Sequence, residues 1–255
     1  MSRAKILIPR RAVLGGLLGL GGLSLAGCSE GPPTYGNLLR MGDLLTYRAF
    51  RALIPRQALA PEYSHADITS VPAIGTTNPA DPHQDAFDSQ LGPLYERLRA
   101  GSFADWRLSI QGAVERPGLW SLADLKRLPA RTQITKHTCE EGWSAISQWT
   151  GAPLRLLLQA VGVKPSARFV NFYAFDDIAD GIDMIDALHP QTILAYAMNG
   201  RDLPLGHGAP LRARVETQLG YKSMKFLRSI VVTERFDDLG KLGYLQAGWS
   251  WYTGI

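Results

Sequence analysis

The chain has 255 residues, 45% of them hydrophobic and 20% charged, and a formal net charge of +4. That excess is confined to residues 1–27, which hold four of the 27 bases and none of the 23 acids, so the remaining 228 residues carry 23 of each sign. A neutral body of this length excludes a basic nucleic-acid-binding fold and leaves room for a substantial core in one large domain.

The chain opens "MSRAKILIPRRAVLGGLLGLGGLSLAGCSE". Arg3, Lys5, Arg10 and Arg11 precede an apolar run from Ala12 to Gly27, which is shorter than the ~20 residues a membrane-spanning helix needs. It reads as an export leader. The Arg10-Arg11 pair is the twin-arginine pattern, and "LAGC" at 25–28 resembles the bacterial lipobox, which makes Cys28 the lipidated first residue of the mature protein. The expected organisation is a twin-arginine/lipoprotein signal at 1–27, a lipidated tether at 28–37 and a single domain at 38–255. The twin-arginine export machinery is then a partner. The expected location is periplasmic or otherwise extracytoplasmic, with a lipid anchor through Cys28. With Cys28 committed to lipid, Cys139 has no partner for a disulfide. A free thiol in an oxidising compartment has to be buried or bound.

Along the body, "LLRMGDLLTYRAFRALI" (38–54) places Leu38, Leu45, Ala49 and Ala52/Leu53 near one helical face, and Pro55 ends the run. Residues 56–88 are Pro-rich and aperiodic, a loop long enough to suggest function or disorder, and a short helix is expected at 89–99. "WRLSIQGAV" (106–114) alternates as a half-buried strand. "SLADLKRL" (121–128) starts with a capping-box pattern and predicts a short helix. A strand at 130–138 leads into Cys139. Pro153 opens and Gly162 closes the helix "LRLLLQAV". Strands are expected at 168–175, 192–198, 211–216 and 226–236, with Asn199-Gly200 as a turn. The fold class is α+β, mixed and strand-rich.

Cys139 sits in "ITKHTCEEGWSAISQWTG" (134–151) and admits four readings. It is a buried core thiol, or a nucleophile with His137 or His207 as its base. It is a zinc ligand, although five scattered histidines do not supply the paired spacing that zinc sites use. Or it is the lone protein thiolate on a heavy redox metal otherwise held by an organic dithiolene. The last reading requires a pocket for a flat hydrogen-bonding ring and a phosphate. The stretch "LPLGHGAPLRARVETQLGYKSMKFL" (203–227) supplies one. Gly206 and Gly208 flank His207, Arg212 follows, and Gly220, Lys222 and Lys225 lie on a small-residue turn suited to an anion. Trp143, Trp149, Tyr221 and the tail Trp249, Trp251 and Tyr252 read as packing, and Lys222 as a solvated strand residue.

Together, Cys139–Trp149, "HPQTILAYAMNG" (189–200) and "HGAPLR" (207–212) resemble the molybdopterin-binding domain of the sulfite oxidase family, over about residues 106–230 and on to "WSWYTGI". The resemblance implies a barrel-like β core with peripheral helices and a molybdenum-molybdopterin cofactor. It makes Cys139 the metal ligand and puts His207 and Arg212 at pterin and phosphate contacts, with Ser223, Met224 and Lys225 in a later phosphate-binding turn. Glu140-Glu141-Gly142-Trp143-Ser144 is similar to the methionine sulfoxide reductase branch, whereas His207 is similar to the sulfite oxidase branch. Two carboxylates beside the ligand disfavour a sulfite dianion. Glu141 is a candidate catalytic proton donor if it is buried, or else a turn cap.

The implied activity is oxygen-atom transfer on a sulfoxide or other small oxo substrate. The alternatives are sulfite oxidation by the same family, a cofactor-free lipoprotein binding module on this fold, or a cysteine hydrolase. The chain has no haem-attachment motif and no iron–sulfur cysteine cluster. A separate electron-transfer partner is therefore implied, such as a membrane cytochrome b or a quinone-linked subunit. The chain lacks room for the C-terminal dimerisation domain of many sulfite oxidases, which makes a monomer the expectation.

Overall fold

The computed structural model describes residues 37–81, 91–235 and 249–255. The leader, the tether up to residue 36 and the first two residues of the helix expected at 89–99 lie outside them. Helix α1 (Asn37–Leu53) is followed, after a stretch that is largely irregular over the described residues 54–81, by α2 (Gly92–Ala100), β1 (Arg107–Gly112), β2 (Gly118–Ser121) and α3 (Leu122–Arg127). Next come β3 (Arg131–Thr138), β4 (Ser144–Pro153), α4 (Leu154–Val161), β5 (Phe169–Ala174), β6 (Ala179–Asp183) and α5 (Met184–Ala187). The last strands are β7 (Ile193–Met198), β8 (Arg201–Asp202), β9 (Arg212–Arg214) and β10 (Leu227–Thr233). The strand-rich α+β expectation holds. Its barrel-like core takes the form of two five-stranded sheets, β2-β1-β10-β5-β6 and β3-β4-β7-β8 with β9 paired to β7. All pairings are antiparallel except that of β1 with β10.

Local chemistry explains the elements that were legible. In β1, Leu108 and Ile110 are buried while Arg107 and Gln111 are exposed, the period-2 signature of a strand with one face on the core. Ser121 caps α3: its Oγ accepts from Asp124 N at 3.1 Å, and Asp124 Oδ2 accepts from Ser121 N at 2.8 Å. In α4, Leu154, Leu157, Leu158 and Val161 form one buried stripe at helical spacing. Burial of each such side chain contributes about 1.5–3 kcal/mol. Gly162 ends that helix at φ 69°, a left-handed cap that a Cβ would strain. Members of both sheets meet in one core, among them Ile110, Phe172, Leu194, Leu211 and Ile230.

Four strands were not visible in the sequence, the short β2 and β8 and the longer β4 and β6. In β4 the inward positions are Ala145, Ser147 and Trp149, and small or polar residues there mask the alternation. In β6, Asp180 and Asp183 are buried, so the strand reads as a polar turn. The strand expected at 211–216 shortens to Arg212–Arg214, and that expected at 226–236 to Leu227–Thr233. In α1 the apolar residues picked out by periodicity point the other way from a core. Leu45, Ala49, Ala52 and Leu53 are exposed. The inward side is built from Tyr47, Phe50 and Arg51: the two rings pack against the C-terminal Trp251 and Tyr252, and Arg51 pairs with Asp183 at 3.0 Å and Asp186 at 2.7 Å.

Candidate active site

Cys139 is set by the β3–β4 hairpin. Thr138 pairs with Ser144 at the end of the ladder, and residues 139–143 close the loop. Cys139 N donates to Trp143 O at 2.9 Å, Gly142 N donates to Cys139 O at 3.2 Å, and Gly142 takes φ 90°. The side chain is buried and faces a cleft of about 280 Å³. Its Sγ donates to Glu140 Oε2 at 3.5 Å. Burial, with Glu140 next to it, pushes the thiol up to about 11, so it holds its proton until a cation displaces it.

The other walls come from distant parts of the chain. They include the 71–76 segment, His207, Arg212, Asp176, the 220–225 turn and Trp249. All seven residues singled out by the sequence (Cys139, Glu141, His207, Arg212, Ser223, Met224 and Lys225) line this one cleft. Arg212 is buried and held by main-chain oxygens: it donates to His207 O at 3.1 Å and to Ser223 O at 2.9 Å, and its Nε has no partner. Lys225 Nζ donates to Ile74 O at 2.8 Å, to Gly206 O at 3.2 Å and to Thr76 O, tying the 71–76 segment to the His207 turn. Ser223 Oγ accepts from Val215 N at 3.1 Å and fixes the turn.

The electrostatics follow from this arrangement. Burial and the neighbouring Arg214 lower Arg212 to about 9, and burial and Arg212 lower Lys225 to about 8. His207 falls to about 4 through burial and then through Arg212 and Lys225, so its imidazole is neutral at pH 7. Asp176, the buried carboxylate of the cleft, is pushed up to about 6 by desolvation. The interior therefore favours an anion.

In the cleft wall, the Trp149 ring is approached by two guanidinium groups, Arg212 Cζ at 5.0 Å and Arg214 Cζ at 4.5 Å from its centre. Arg214 is in turn paired with Glu216 at 2.7 Å and reaches His137 Nδ1 at 2.7 Å. Burial and Arg214 lower His137 to about 2. A neutral imidazole whose Nδ1 faces a guanidinium, beside a thiol raised to about 11, is not the ion pair a cysteine nucleophile needs. Gly220 packs against this ring so closely that an added Cβ would lie 2.5 Å from His137 Cε1.

Several sequence expectations are corrected here. Lys222 is not a solvated strand residue and does not offer its ammonium to the cleft: it is buried, with Nζ 2.7 Å from Asp180 Oδ1 and 3.0 Å from Gly181 O. The turn amides at Lys222 and Ser223 are already bonded to Leu219 O and Gly220 O. Glu141 lines the cleft but is exposed, and its Oε2 accepts from Trp143 Nε1 at 3.0 Å, so the burial expected of it is absent. The aromatic tail divides, with Trp249 lining the cleft beside Tyr221 while Trp251 and Tyr252 pack on α1. Val71–Thr76, Asp176 and Arg214 carried no sequence signal. The 71–76 stretch is aperiodic, and its role depends on the reach of Lys225 from 149 or more residues away.

A thiol at one wall, a neutral imidazole, two cations satisfied by carbonyls, and the orphaned donors Arg212 Nε and Trp149 Nε1 fit a large anionic hydrogen-bonding group that also carries a soft metal. The fold and cleft thus define a cofactor-dependent redox enzyme. A family model described as "oxidoreductase molybdopterin binding domain" matches residues 97–238. A protein of Azospira oryzae, provisionally named protein-methionine-sulfoxide reductase subunit YedZ1, is 34% identical over 249 residues, or 96% of this chain and 87% of its own. The protein-methionine-sulfoxide reductase catalytic subunit MsrP of Xanthomonas campestris is 28% identical over 232 residues, 85% of this chain and 67% of that protein. Among solved structures, the sulfane dehydrogenase SoxCD from Paracoccus pantotrophus aligns with a TM-score of 0.49 and 26% identity, over 51% of this chain and 39% of that one. The chain belongs to the oxidoreductase molybdopterin binding domain family. It is a molybdopterin-dependent oxidoreductase, and its cofactor is molybdenum-molybdopterin.

Proposed function

We propose that this chain reduces sulfoxides, with methionine sulfoxide as the first candidate substrate, and that it works outside the cytoplasm as a single lipid-anchored domain (38–255) behind a cleaved leader. The observation that carries the reading is the cleft itself, where Cys139 shares one wall-to-wall space with Arg212 and Lys225. The names of the relatives YedZ1 and MsrP support the substrate class.

Bound molybdenum-molybdopterin supplies two-electron oxygen-atom transfer. Cys139 would hold the metal through its sulfur, with Glu140 Oε2 3.5 Å from Sγ. Arg212 and Lys225 would hold the phosphate, His207 and the orphaned Arg212 Nε would bond the ring system, and Ser223 and Met224 would shape the adjoining turn. Glu140 and Glu141 leave the rim acidic, which disfavours sulfite relative to a neutral sulfoxide, although solvent screens much of that preference. Glu141, exposed and bonded to Trp143 Nε1, is placed to exchange protons between solvent and the rim. Electrons come from a separate membrane subunit, of the cytochrome b or quinone-linked kind. The word "subunit" in the relatives' names supports such a partner.

The test is to purify the exported protein, determine molybdenum per chain, and compare turnover with methionine sulfoxide and with sulfite using a dye as electron donor or acceptor. Molybdenum near one per chain with preferential sulfoxide reduction supports the proposal. Fully loaded protein that oxidises sulfite and leaves sulfoxides untouched overturns it.

A further inference from the structure

Six of the nine large hydrophobic side chains exposed among the described residues gather on one side of the molecule. Met41, Leu45 and Leu53 lie along α1 at spacings of four and eight residues, hence on one helical stripe. Ile54, Leu59 and Ile255 continue it across the mouth of a second cleft that begins where α1 ends. The exposure is not marginal: Leu53 is 82% exposed, Leu45 62%, Leu59 56% and Ile255 52%. By contrast, the side of α1 that faces the protein uses Tyr47, Phe50 and Arg51. A helix with its aliphatic residues outward and its polar anchor inward is complementary to something outside the fold. Arg48 and Arg56 are exposed along the same stretch, and Lys136 lines the adjoining cleft.

We propose that this face rests on the surface of a lipid bilayer bearing anionic headgroups, with α1 lying in the plane of the interface. Three observations favour a bilayer over a second copy or a protein partner. Leucines interleaved with arginines, as in α1, are the composition of an interfacial helix. At 17 residues α1 is about 25 Å long, shorter than the ~30 Å hydrocarbon core of a bilayer, a length suited to lying along the interface. The third is reach. Eight residues lie between Cys28 and Asn37, nine steps or at most about 30 Å of extended chain, so acylation at Cys28 would hold this face at the membrane. Only that third point rests on the proposed lipid anchor. The face itself does not, and neither does its binding depend on the substrate.

The test uses the mature, molybdenum-loaded protein made behind a twin-arginine leader that ordinary signal peptidase removes, so that neither lipid nor leader remains. Flotation is measured with vesicles of phosphatidylcholine alone and with phosphatidylglycerol added. The expected result is binding that needs phosphatidylglycerol, falls at least tenfold in a Leu45→Glu/Leu53→Glu variant, and falls about fivefold for each of Arg48→Gln and Arg56→Gln. Because all four side chains are exposed, molybdenum content and thermal midpoint stay at wild-type values in the variants. Equal flotation of wild type and the leucine pair overturns the proposal. So does a concentration-dependent dimer that the leucine pair dissociates, or capture of a membrane protein in detergent with no binding to protein-free vesicles.

Discussion

Two groups of buried cations in this molecule are satisfied in opposite ways. In the first group each cation meets a carboxylate: Lys222 meets Asp180 at 2.7 Å, Arg51 meets Asp183 and Asp186 at 3.0 and 2.7 Å, and Arg214 meets Glu216 at 2.7 Å. In the active-site cleft, Arg212 and Lys225 are held chiefly by main-chain carbonyls, and one Arg212 donor is left over. Ion pairs cancel charge and lock neighbouring elements together, whereas carbonyls position a cation without neutralising it. The first arrangement serves the fold, and the second keeps positive charge available for an anionic cofactor at the cost of desolvating it. Lys222 and Lys225, three residues apart on one turn, fall on either side of this division.

The most severe test removes the thiol that shares the cleft with Arg212 and Lys225. Cys139→Ser is expected to lower sulfoxide turnover by well over 100-fold, beyond the ~10–100-fold typical of outer-shell metal partners. Assaying it at matched protein concentration beside a molybdenum determination separates lost metal from lost chemistry. Next, the two lysines should respond differently. Lys222→Met leaves Asp180 buried without its countercharge, a loss of about 3–5 kcal/mol that lowers the thermal midpoint by roughly 10 °C. Because burial raises the Asp180 carboxyl, the loss should shrink as the pH falls toward the point where that carboxyl takes up a proton. Lys225→Met should instead retain most of the stability and lose cofactor, with about 10–100-fold weaker retention seen as substoichiometric molybdenum. If the two variants fail in the same way, the division between paired and carbonyl-held cations is wrong.

A finer test concerns the cleft's own acid. Asp176 is raised from 3.8 to about 6 by burial, so the folded protein binds a proton there that the unfolded chain has already released. Cofactor-free wild type should therefore lose stability as pH rises from about 4 to 6, by about 2 kcal/mol in all. Asp176→Asn should flatten that slope in urea unfolding followed at pH 4, 5, 6 and 7. The mildest change serves as a control. Ser121→Ala removes the cap of α3, far in role from either cation group, and should cost about 1 kcal/mol with molybdenum content unchanged.

The features legible in the sequence were the ones written in local chemistry. The capping box at Ser121, the Pro153–Gly162 bracket around α4 and the alternation of β1 depend on neighbours within a few residues, and they appear where they were expected. The cleft residues of the blocks at 139–149 and 207–225 were found because those blocks are short and contiguous. The long-range partners were not. Nothing near Val71–Thr76 shows that Lys225 will bind its carbonyls, and nothing near Lys222 shows that Asp180 will take its charge. The outward stripe of α1 misleads for the same reason, since periodicity identifies an apolar face without saying which way it points.

The amino-acid sequence by itself thus determined the class of fold, the one candidate thiol and the family, because capping, periodicity and contiguous motifs are properties of neighbouring residues. The tertiary structure alone decided which cations are neutralised, that Glu141 stays in solvent, and that α1 turns its leucines outward. The deciding burial and charge pairing join residues as far apart as Lys222 and Asp180, 42 positions, and Arg51 and Asp183, 132 positions, and they exist only once the two sheets have closed on their common core.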